Sequence, residues 1–354
     1  MDSDSENDDF SNFGIIDDLT HDSYAFDCFD NIFIVFKSID DILYLIYTNS
    51  QGSIVSFNIN DNKKMNEIRY AHSGDITNFR HYYDKKNSRD LVLSISCKDN
   101  NIKVWDIINL DLIVDFVCCT DSNSSYLYSA CFLNDHNKIY IVSSNCKDYG
   151  ISEPIKIFDF NGDKLMEIND SDDSVYFIDS FYDYEYKQNY IIAGNVNHIS
   201  SYNFTSNELY HQYEESESYS DSDYSDPLPS DCHYSIIVHN YNNIIILIDS
   251  SFDGYIRIWD FHSADLLRKI QACDNWIYSI CLWDDKYLCA ASYEKKIILI
   301  DLVDGKVKEN FNLPDEYSCP LTVKKINHPK YGECLLVQGD RDSQIRIMGF
   351  KKNN

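Results

Sequence analysis

The side chains of this chain that could perform chemistry are chiefly ten histidines, twelve cysteines and 58 carboxylates among 354 residues. Metal binding requires such ligands at close and regular spacing, and nucleophilic catalysis requires a serine or cysteine beside a base. The histidines are scattered, and no two cysteines have the C-x-x-C spacing of a zinc or dithiol site. We therefore expect no metal site, no cofactor and no catalytic residues.

Motifs of nucleotide binding and hydrolysis are also missing from the sequence. It contains no G-x-x-x-x-G-K-[ST], G-x-G-x-x-G, H-E-x-x-H or G-x-S-x-G, and it has only 11 glycines. Paired carboxylates such as Asp172 and Asp173 lie in polar segments between apolar runs, where solvated turns explain them. The sequence accordingly favours a protein that is not an enzyme.

The negative charge of the chain is concentrated in two segments. The sequence has 58 acidic and 30 basic residues, a net charge of -28. Residues 1–22 hold eight acids and residues 214–231 hold seven, and neither segment contains a lysine or arginine. A negative chain repels phosphate backbones and anionic lipid, so we expect no direct binding to nucleic acid.

Targeting and membrane signals are weak. The first basic residue is Lys37, and the longest aliphatic run, residues 244–248, is far shorter than the roughly 20 residues of a membrane-spanning helix. We expect no membrane insertion and an intracellular protein, cytoplasmic or nuclear, whose cysteines are mostly reduced.

One short sequence pattern recurs seven times, and it indicates the secondary structure that positions the side chains of this chain. Each copy reads Ile-x-x-aromatic or aliphatic, followed in most copies by Asp or Asn, at intervals of 41 to 57 residues. The alternation of Ile, Val and aromatic residues is typical of a β-strand. The seven copies are residues 54–58, 102–106, 155–159, 199–203, 256–260, 297–301 and 345–349.

Each copy belongs to a larger unit of four predicted strands. One apolar run precedes the copy, as at 287–290, a second lies further upstream, as at 276–282, and a more polar run can follow, as at 266–270. No convincing amphipathic helix separates the units, which argues against a parallel sheet with helical crossovers. The sequence predicts an all-β protein of antiparallel four-stranded meanders.

The repeat resembles that of the WD-repeat β-propeller family, in which a unit of about 40 to 45 residues ends in Trp-Asp. Two Trp-Asp dipeptides occur here, at Trp105 and Trp259, and an aspartate precedes each tryptophan by six residues, at Asp99 and Asp253. The resemblance covers nearly the whole chain. It implies a seven-bladed propeller rather than one of six or eight blades.

In this family the turn aspartate joins a hydrogen-bonded set with a histidine, a strand serine or threonine, and the tryptophan. The resemblance implies that such residues hold the fold together and carry no activity. The matching positions are His72, Asp99 and Trp105 in unit two, where Cys97 stands at the usual serine position, and His233, Ser251, Asp253 and Trp259 in unit five.

The two ends of the chain are expected to meet in the last blade. The seventh unit stops at Phe350, after its third strand, and residues 12–19 can supply the missing strand and so close the propeller. Deletion of residues 1–19 should therefore destabilise the protein, whereas deletion of 1–10 should not. The predicted organisation is an acidic tail at 1–11, the propeller at 12–351 with an acidic insertion at 214–231, and a short tail at 352–354.

The resemblance implies a non-enzymatic scaffold that brings other proteins together on its top face, as a monomer within a larger complex. Residues before the turn acids, or at the start of a first strand, match the partner-binding positions of the family. Aromatic residues and arginine are also the types favoured at interaction hot spots. The matching residues are Lys98, Tyr126, Phe252, Trp276, Tyr293 and Arg341.

Two alternatives stay open, a substrate receptor of a ubiquitin ligase and an enzyme or ligand binder that uses the central channel. The W-D-x-R motif and the F-box-like helical region associated with ligase receptors are both missing.

The acidic insertion is interpreted as a solvated loop or as a regulated segment. Ser218 and Ser220 each precede an acid by three residues, which suits phosphorylation by an acid-directed kinase and docking of a basic partner.

Overall fold

The computed structural model of the protein is a seven-bladed β-propeller. It describes residues 10–24, 31–96, 99–109, 111–118, 125–147, 151–169, 174–215, 232–340 and 343–351. In these ranges the chain consists of strands, turns and loops, and no helix there is long and apolar enough to cross a membrane.

The strands of blades one to four follow one another along the chain. Blade one contains β2 (Phe33–Lys37), β3 (Leu43–Thr48), β4 (Ile54–Asn58) and β5 (Lys63–Ile68). Blade two contains β6 (Ile76–Asp84), β7 (Arg89–Ser96), β8 (Asn101–Asp106) and β9 (Asp111–Val117). Blade three contains β10 (Ser125–Asp135), β11 (Lys138–Lys147), β13 (Ile155–Asp159) and β14 (Lys164–Ile168), with the short β12 (Ile151–Ser152) paired to β11. Blade four contains β15 (Phe177–Asp183), β16 (Gln188–Gly194), β17 (Ile199–Asn203) and β18 (Glu208–Tyr213).

Blades five to seven continue the same order. Blade five contains β19 (His233–Tyr241), β20 (Ile244–Ser251), β21 (Tyr255–Asp260) and β22 (Leu266–Gln271). Blade six contains β23 (Ile277–Leu282), β24 (Tyr287–Ser292), β25 (Lys296–Asp301) and β26 (Lys306–Asn312). Blade seven contains β27 (Pro320–His328), β28 (Gly332–Gly339), β29 (Ile345–Phe350) and β1 (Phe13–Asp18).

The predicted fold class is confirmed. The seven recurring segments form the third strands of the seven blades, and each blade is an antiparallel meander of four strands. The first three strands of a blade are largely buried on both faces, whereas the fourth is exposed along much of its length, as in β5. This difference in burial explains why the fourth run of each unit is the most polar.

The N-terminal strand closes the propeller, as the sequence predicts. Strand β1 pairs with β29, with Phe13 opposite Phe350 and Gly14 opposite Gly349. The packed body extends two residues further back than the predicted boundary at residue 12, because Phe10 is only 7% exposed and its ring lies 6.0 Å from that of Trp283. Deletion of residues 1–10 would therefore remove a core side chain.

Neighbouring blades are joined by serines near the start of their first strands. In three blades the serine hydroxyl accepts a hydrogen bond from a backbone N–H of the next blade. Such bonds satisfy buried amides at the interface between two sheets and fix the spacing of the blades. The pairs are Ser129 with Ile178 at 3.2 Å, Ser235 with Ile280 at 3.1 Å, and Ser279 with Val323 at 3.3 Å.

Candidate functional site

One face of the propeller, here called the top face, carries two kinds of connection. The loop between the second and third strands of a blade lies there, and so does the segment that enters the first strand of the next blade. The first strands of adjacent blades contact one another, so they surround the centre of the ring. Side chains at the start of a first strand therefore lie at the mouth of the central channel.

Four tyrosines occupy the same position at this mouth, in blades three to six. Tyr128, Tyr234 and Tyr278 each fall at a shift of register between the first and second strands, and Tyr176 directly precedes β15. A β-bulge leaves one residue unpaired and redirects its side chain. The bulges therefore turn tyrosines away from the blade cores and toward the top face.

These tyrosines join three further rings in a continuous series of contacts. We call the series the aromatic arc, and it consists of Tyr128, Tyr176, Tyr234, Phe252, Trp276, Tyr278 and Tyr293. The centroid distances along it are 4.9 Å for Tyr128–Tyr176, 5.2 Å for Tyr176–Tyr234, 4.3 Å for Tyr234–Phe252, 4.5 Å for Phe252–Trp276 and 5.3 Å for Trp276–Tyr293.

The middle of the arc is a stack of nearly parallel rings. Phe252 lies between Tyr234 and Trp276 at interplanar angles of 28° and 12°, and Tyr278 meets Trp276 edge-on at 89°. Aromatic pairs of this kind contribute about 0.5–1.5 kcal/mol each beyond burial of their area. Burial also raises the pKa of Tyr234 well above its ordinary value, so this phenol stays neutral. The stack is a rigid support.

Exposure increases from the stack toward blade six. Phe252 is 6% exposed, Trp276 is partly buried, and Tyr293 is 45% exposed. The Tyr293 N–H also donates to the Trp276 carbonyl at 2.9 Å, which fixes the two residues side by side. The outer end of the arc, Trp276 with Tyr293, therefore presents aromatic surface on a preorganised base.

The predicted partner-binding residues separate into three groups. The structure brings Phe252, Trp276 and Tyr293 together in the arc, although Phe252 is too deeply buried to offer much surface of its own. Tyr126 is 41% exposed and lies in β10, two residues before the first ring of the arc. Lys98 and Arg341 fall outside the described residues, as do Ser218 and Ser220.

Sequence reasoning missed the four tyrosines of the first strands. A usable signal was present, because each follows an aliphatic residue or histidine and precedes serine or phenylalanine at the start of a predicted unit. The four segments are Leu127-Tyr128-Ser129, Val175-Tyr176-Phe177, His233-Tyr234-Ser235 and Ile277-Tyr278-Ser279.

In blade two, the predicted His72, Asp99 and Trp105 come together through Ser94. The Trp105 indole N–H donates to Ser94 Oγ at 2.9 Å, and this oxygen lies 2.8 Å from His72 Nε2. His72 Nδ1 lies 3.3 Å from Asp99, so the set forms one directed chain from indole to carboxylate. Cys97, which stands at the predicted serine position, lies outside the described residues.

Several donors hold the Asp99 carboxylate. Burial acts to raise its pKa, but hydrogen bonds from His72 and from two backbone amides outweigh that effect and lower the pKa to about 2. One of these amides belongs to Ser73, at 3.0 Å. Asp99 therefore fixes the segment that enters blade two from its neighbour, which is a structural role.

In blade five, the four residues carried over from the family divide into two sets. His233 and Trp259 both bond to Asp249, each at 2.7 Å, so an aspartate takes the position that Ser94 has in blade two. Ser251 and Asp253 instead bond to each other. The expected single set of His233, Ser251, Asp253 and Trp259 is thus replaced by one set around Asp249 and another around Asp253.

The second of these sets contains three further ions. Arg257 donates to both Asp253 and Glu215, and Lys269 donates to Glu215 at 2.7 Å. Burial acts to raise the pKa of Asp253, and the hydrogen bond and charge of Arg257 outweigh it and lower the pKa. Arg257 is thereby neutralised within blade five.

A cation reaches across the centre of the ring. Arg80, from the first strand of blade two, donates to the Ile178 carbonyl in blade four at 3.2 Å, and its guanidinium lies 5.5 Å from the Phe177 ring. Among the described residues, no group of three or more His, Cys, Asp or Glu side chains could hold a metal ion.

No protein-family model matches this chain, and no curated protein is similar to it. On the top face the rigid aromatic stack ends in the partly buried ring of Trp276 and the exposed ring of Tyr293.

Proposed function

We propose that this protein is a non-enzymatic scaffold of the WD-repeat type, which binds other proteins at the aromatic arc of its top face. The observation that carries this proposal is the pair of the partly buried Trp276 and the exposed Tyr293, which the buried stack behind them holds in place. Tryptophan and tyrosine dominate binding energy at protein interfaces when they are rigidly supported. The chain of bonds from Trp105 to Asp99 in blade two supports the family assignment.

Rigidity is the property that a platform of this kind requires. Side chains that are already ordered lose less conformational entropy when a partner binds. The arc receives rings from blades three to six, and serine bonds join blade three to blade four and blade five to blade six. We propose that it acts as an intracellular monomer within a larger assembly.

The test is capture of the partner from native cells by a photo-reactive amino acid placed at Tyr293. We expect a defined partner to crosslink there, and we expect Trp276→Ala with Tyr293→Ala to weaken its binding about 30-fold, the equivalent of a hot spot of about 2 kcal/mol. Phe252 is left unchanged, because its removal would disturb the core.

A matched control replaces two exposed tyrosines at the opposite end of blade four. Tyr184 and Tyr186 are 85% and 61% exposed in the turn between β15 and β16. Tyr184→Ala with Tyr186→Ala should leave the partner's affinity unchanged. The proposal fails if this control loses the partner equally, or if the Trp276 and Tyr293 variant keeps it.

A further inference from the structure

Carboxylates flank the exposed end of the aromatic arc on both sides. Asp274 is exposed and lies two residues before Trp276, and Glu294 directly follows Tyr293. The Asp274 N–H donates to Glu294 Oε1 at 3.1 Å, so the two loops that carry the rings are bonded to each other at this point. The two acids and the two rings therefore share one small surface.

Among the described residues, the lysines and the arginine near this surface are already engaged by other groups. Lys296 donates to Glu294 at 2.7 Å, and Lys295 donates to the Asp315 carbonyl at 3.0 Å. Arg257 is 8% exposed and is neutralised within blade five. Asp274 forms no ion pair with a lysine or arginine of the described residues, although the charge of Lys296 lies close enough to interact with it, and it accepts a hydrogen bond from Gln271 at 3.0 Å. Since Glu294 is already paired with Lys296, Asp274 is the carboxylate of this surface that remains for the charge of a partner.

Elsewhere on this protein, aromatic rings carry a cation from the same chain. Four lysines lie 4.5 to 4.7 Å from ring centroids, a distance at which the ring quadrupole attracts a positive charge. No lysine or arginine of the described residues lies in this way over Trp276 or Tyr293. The four pairs are Lys269 with Tyr255, Lys286 with Tyr287, Lys325 with Trp283 and Lys330 with Tyr331.

We infer that the partner presents a lysine or arginine side chain to this end of the arc. The cation lies against the faces of Trp276 and Tyr293, and its N–H groups reach Asp274 and Glu294, while the aliphatic stem covers the rings. This inference deepens the proposed function and depends on it.

Other partner chemistries fit this surface less well. A purely apolar segment would remove Asp274 and Glu294 from water without replacing their hydrogen bonds, which costs free energy. An acidic segment would meet these carboxylates directly and would also be repelled by the chain as a whole, whose net charge is -28. A basic segment gains from the faces of the two rings, from the two carboxylates and from the negative net charge of the chain.

The intrinsic fluorescence of Trp276 reports occupancy of this site. The chain has four tryptophans, and Trp105, Trp259 and Trp283 are each 5% exposed or less, which leaves Trp276 as the accessible one. The probe is a 12-residue peptide that alternates lysine with glycine or leucine. A second peptide has every lysine acetylated, and a third has glutamate in place of lysine.

We expect the lysine peptide to change the Trp276 emission saturably and the acetylated and glutamate peptides to bind at least tenfold more weakly. Asp274→Asn with Glu294→Gln should weaken binding of the lysine peptide about tenfold. Asp304→Asn with Glu309→Gln removes the same charge from exposed positions elsewhere on blade six, and it should have less than a twofold effect.

Three results would overturn the inference. These are equal affinity for the lysine and acetylated peptides, equal losses in the two charge variants, and no saturable binding of the lysine peptide by fluorescence or by anisotropy of a labelled copy. Crosslinking of the native partner at Tyr293 tests the proposed function separately. If that crosslink forms but the peptides show no dependence on charge, the scaffold proposal stands and only the basic partner is excluded.

Discussion

The hydroxyl of Ser94 links the side chains of Trp105 and His72 in blade two, so its removal should lower the free energy of unfolding by an amount that the structure allows us to predict. Its oxygen accepts the Trp105 indole N–H at 2.9 Å and lies 2.8 Å from His72 Nε2. In Ser94→Ala, both nitrogen atoms lose these partners inside the protein. An unsatisfied buried group costs about 1–3 kcal/mol, so we expect the free energy of unfolding to fall by about 2–4 kcal/mol.

Ser96 provides a matched control two residues further along the same strand. It is as completely buried as Ser94, but its hydroxyl has no hydrogen-bond partner among the described residues. Ser96→Ala removes the same atom without orphaning a second group. We therefore expect its unfolding free energy to stay within about 0.5 kcal/mol of that of the original protein.

Urea unfolding followed by circular dichroism compares the two variants globally, and amide hydrogen exchange in β7 and β8 compares them within blade two. Local exchange matters because a protein of seven repeated blades can open one blade before the others. Equal destabilisation by Ser94→Ala and Ser96→Ala would show that the bonds of Ser94 contribute nothing net, and the reasoning would be refuted.

Two further predictions concern the N-terminus and pH. Removal of residues 1–9 should leave the thermal midpoint unchanged. Phe10→Ala should lower the free energy of unfolding by about 3 kcal/mol, because its buried ring packs against Phe13 and Trp283. Equal thermal midpoints of the truncated protein and the Phe10→Ala variant in calorimetry would contradict this prediction. The Asp99 carboxylate, whose pKa is lowered to about 2, stabilises the fold above about pH 4. This contribution, on the order of 1 kcal/mol, is lost as the pH falls from 4 toward 2, so Asp99→Asn should flatten the acid decline in stability, and an unchanged slope would contradict the assignment.

Sequence reasoning predicted the strands and the closure because both depend on local pattern. In the third strands, apolar residues alternate with period two. The seventh unit ends at Phe350 after three strands, and residues 12–19 were the segment that could supply the fourth. The hydrogen-bonded sets around Ser94 and Asp249 were harder to predict, because they depend on the register between strands. Ser94 lies opposite Lys103, and Asp249 lies opposite Arg257, two residues before the tryptophan in each case.

Three rings of the aromatic arc, those of Phe252, Trp276 and Tyr293, were among the predicted residues, whereas its four first-strand tyrosines were not, for a related reason. Trp276 and Tyr293 could be predicted because each lies beside a turn that the sequence shows. Tyr234 and Tyr278 reach the top face because a bulge redirects them. A strict alternation would assign these tyrosines to a blade core. Their identical place in successive units is visible in the sequence, but the direction of the side chain is a property of the paired strands.

The same short segment both holds the ring of blades together and builds the surface that we propose for partner binding. In blades three, five and six the bulged tyrosine is followed by the serine that bonds to the next blade, as in Tyr234-Ser235 and Tyr278-Ser279. The tyrosine can point to the top face only while the bulge persists, and the serine bond fixes the strand in which that bulge lies. The spacing of the rings is therefore set by the contacts between blades, which gives the arc the rigidity that a platform for partner binding requires.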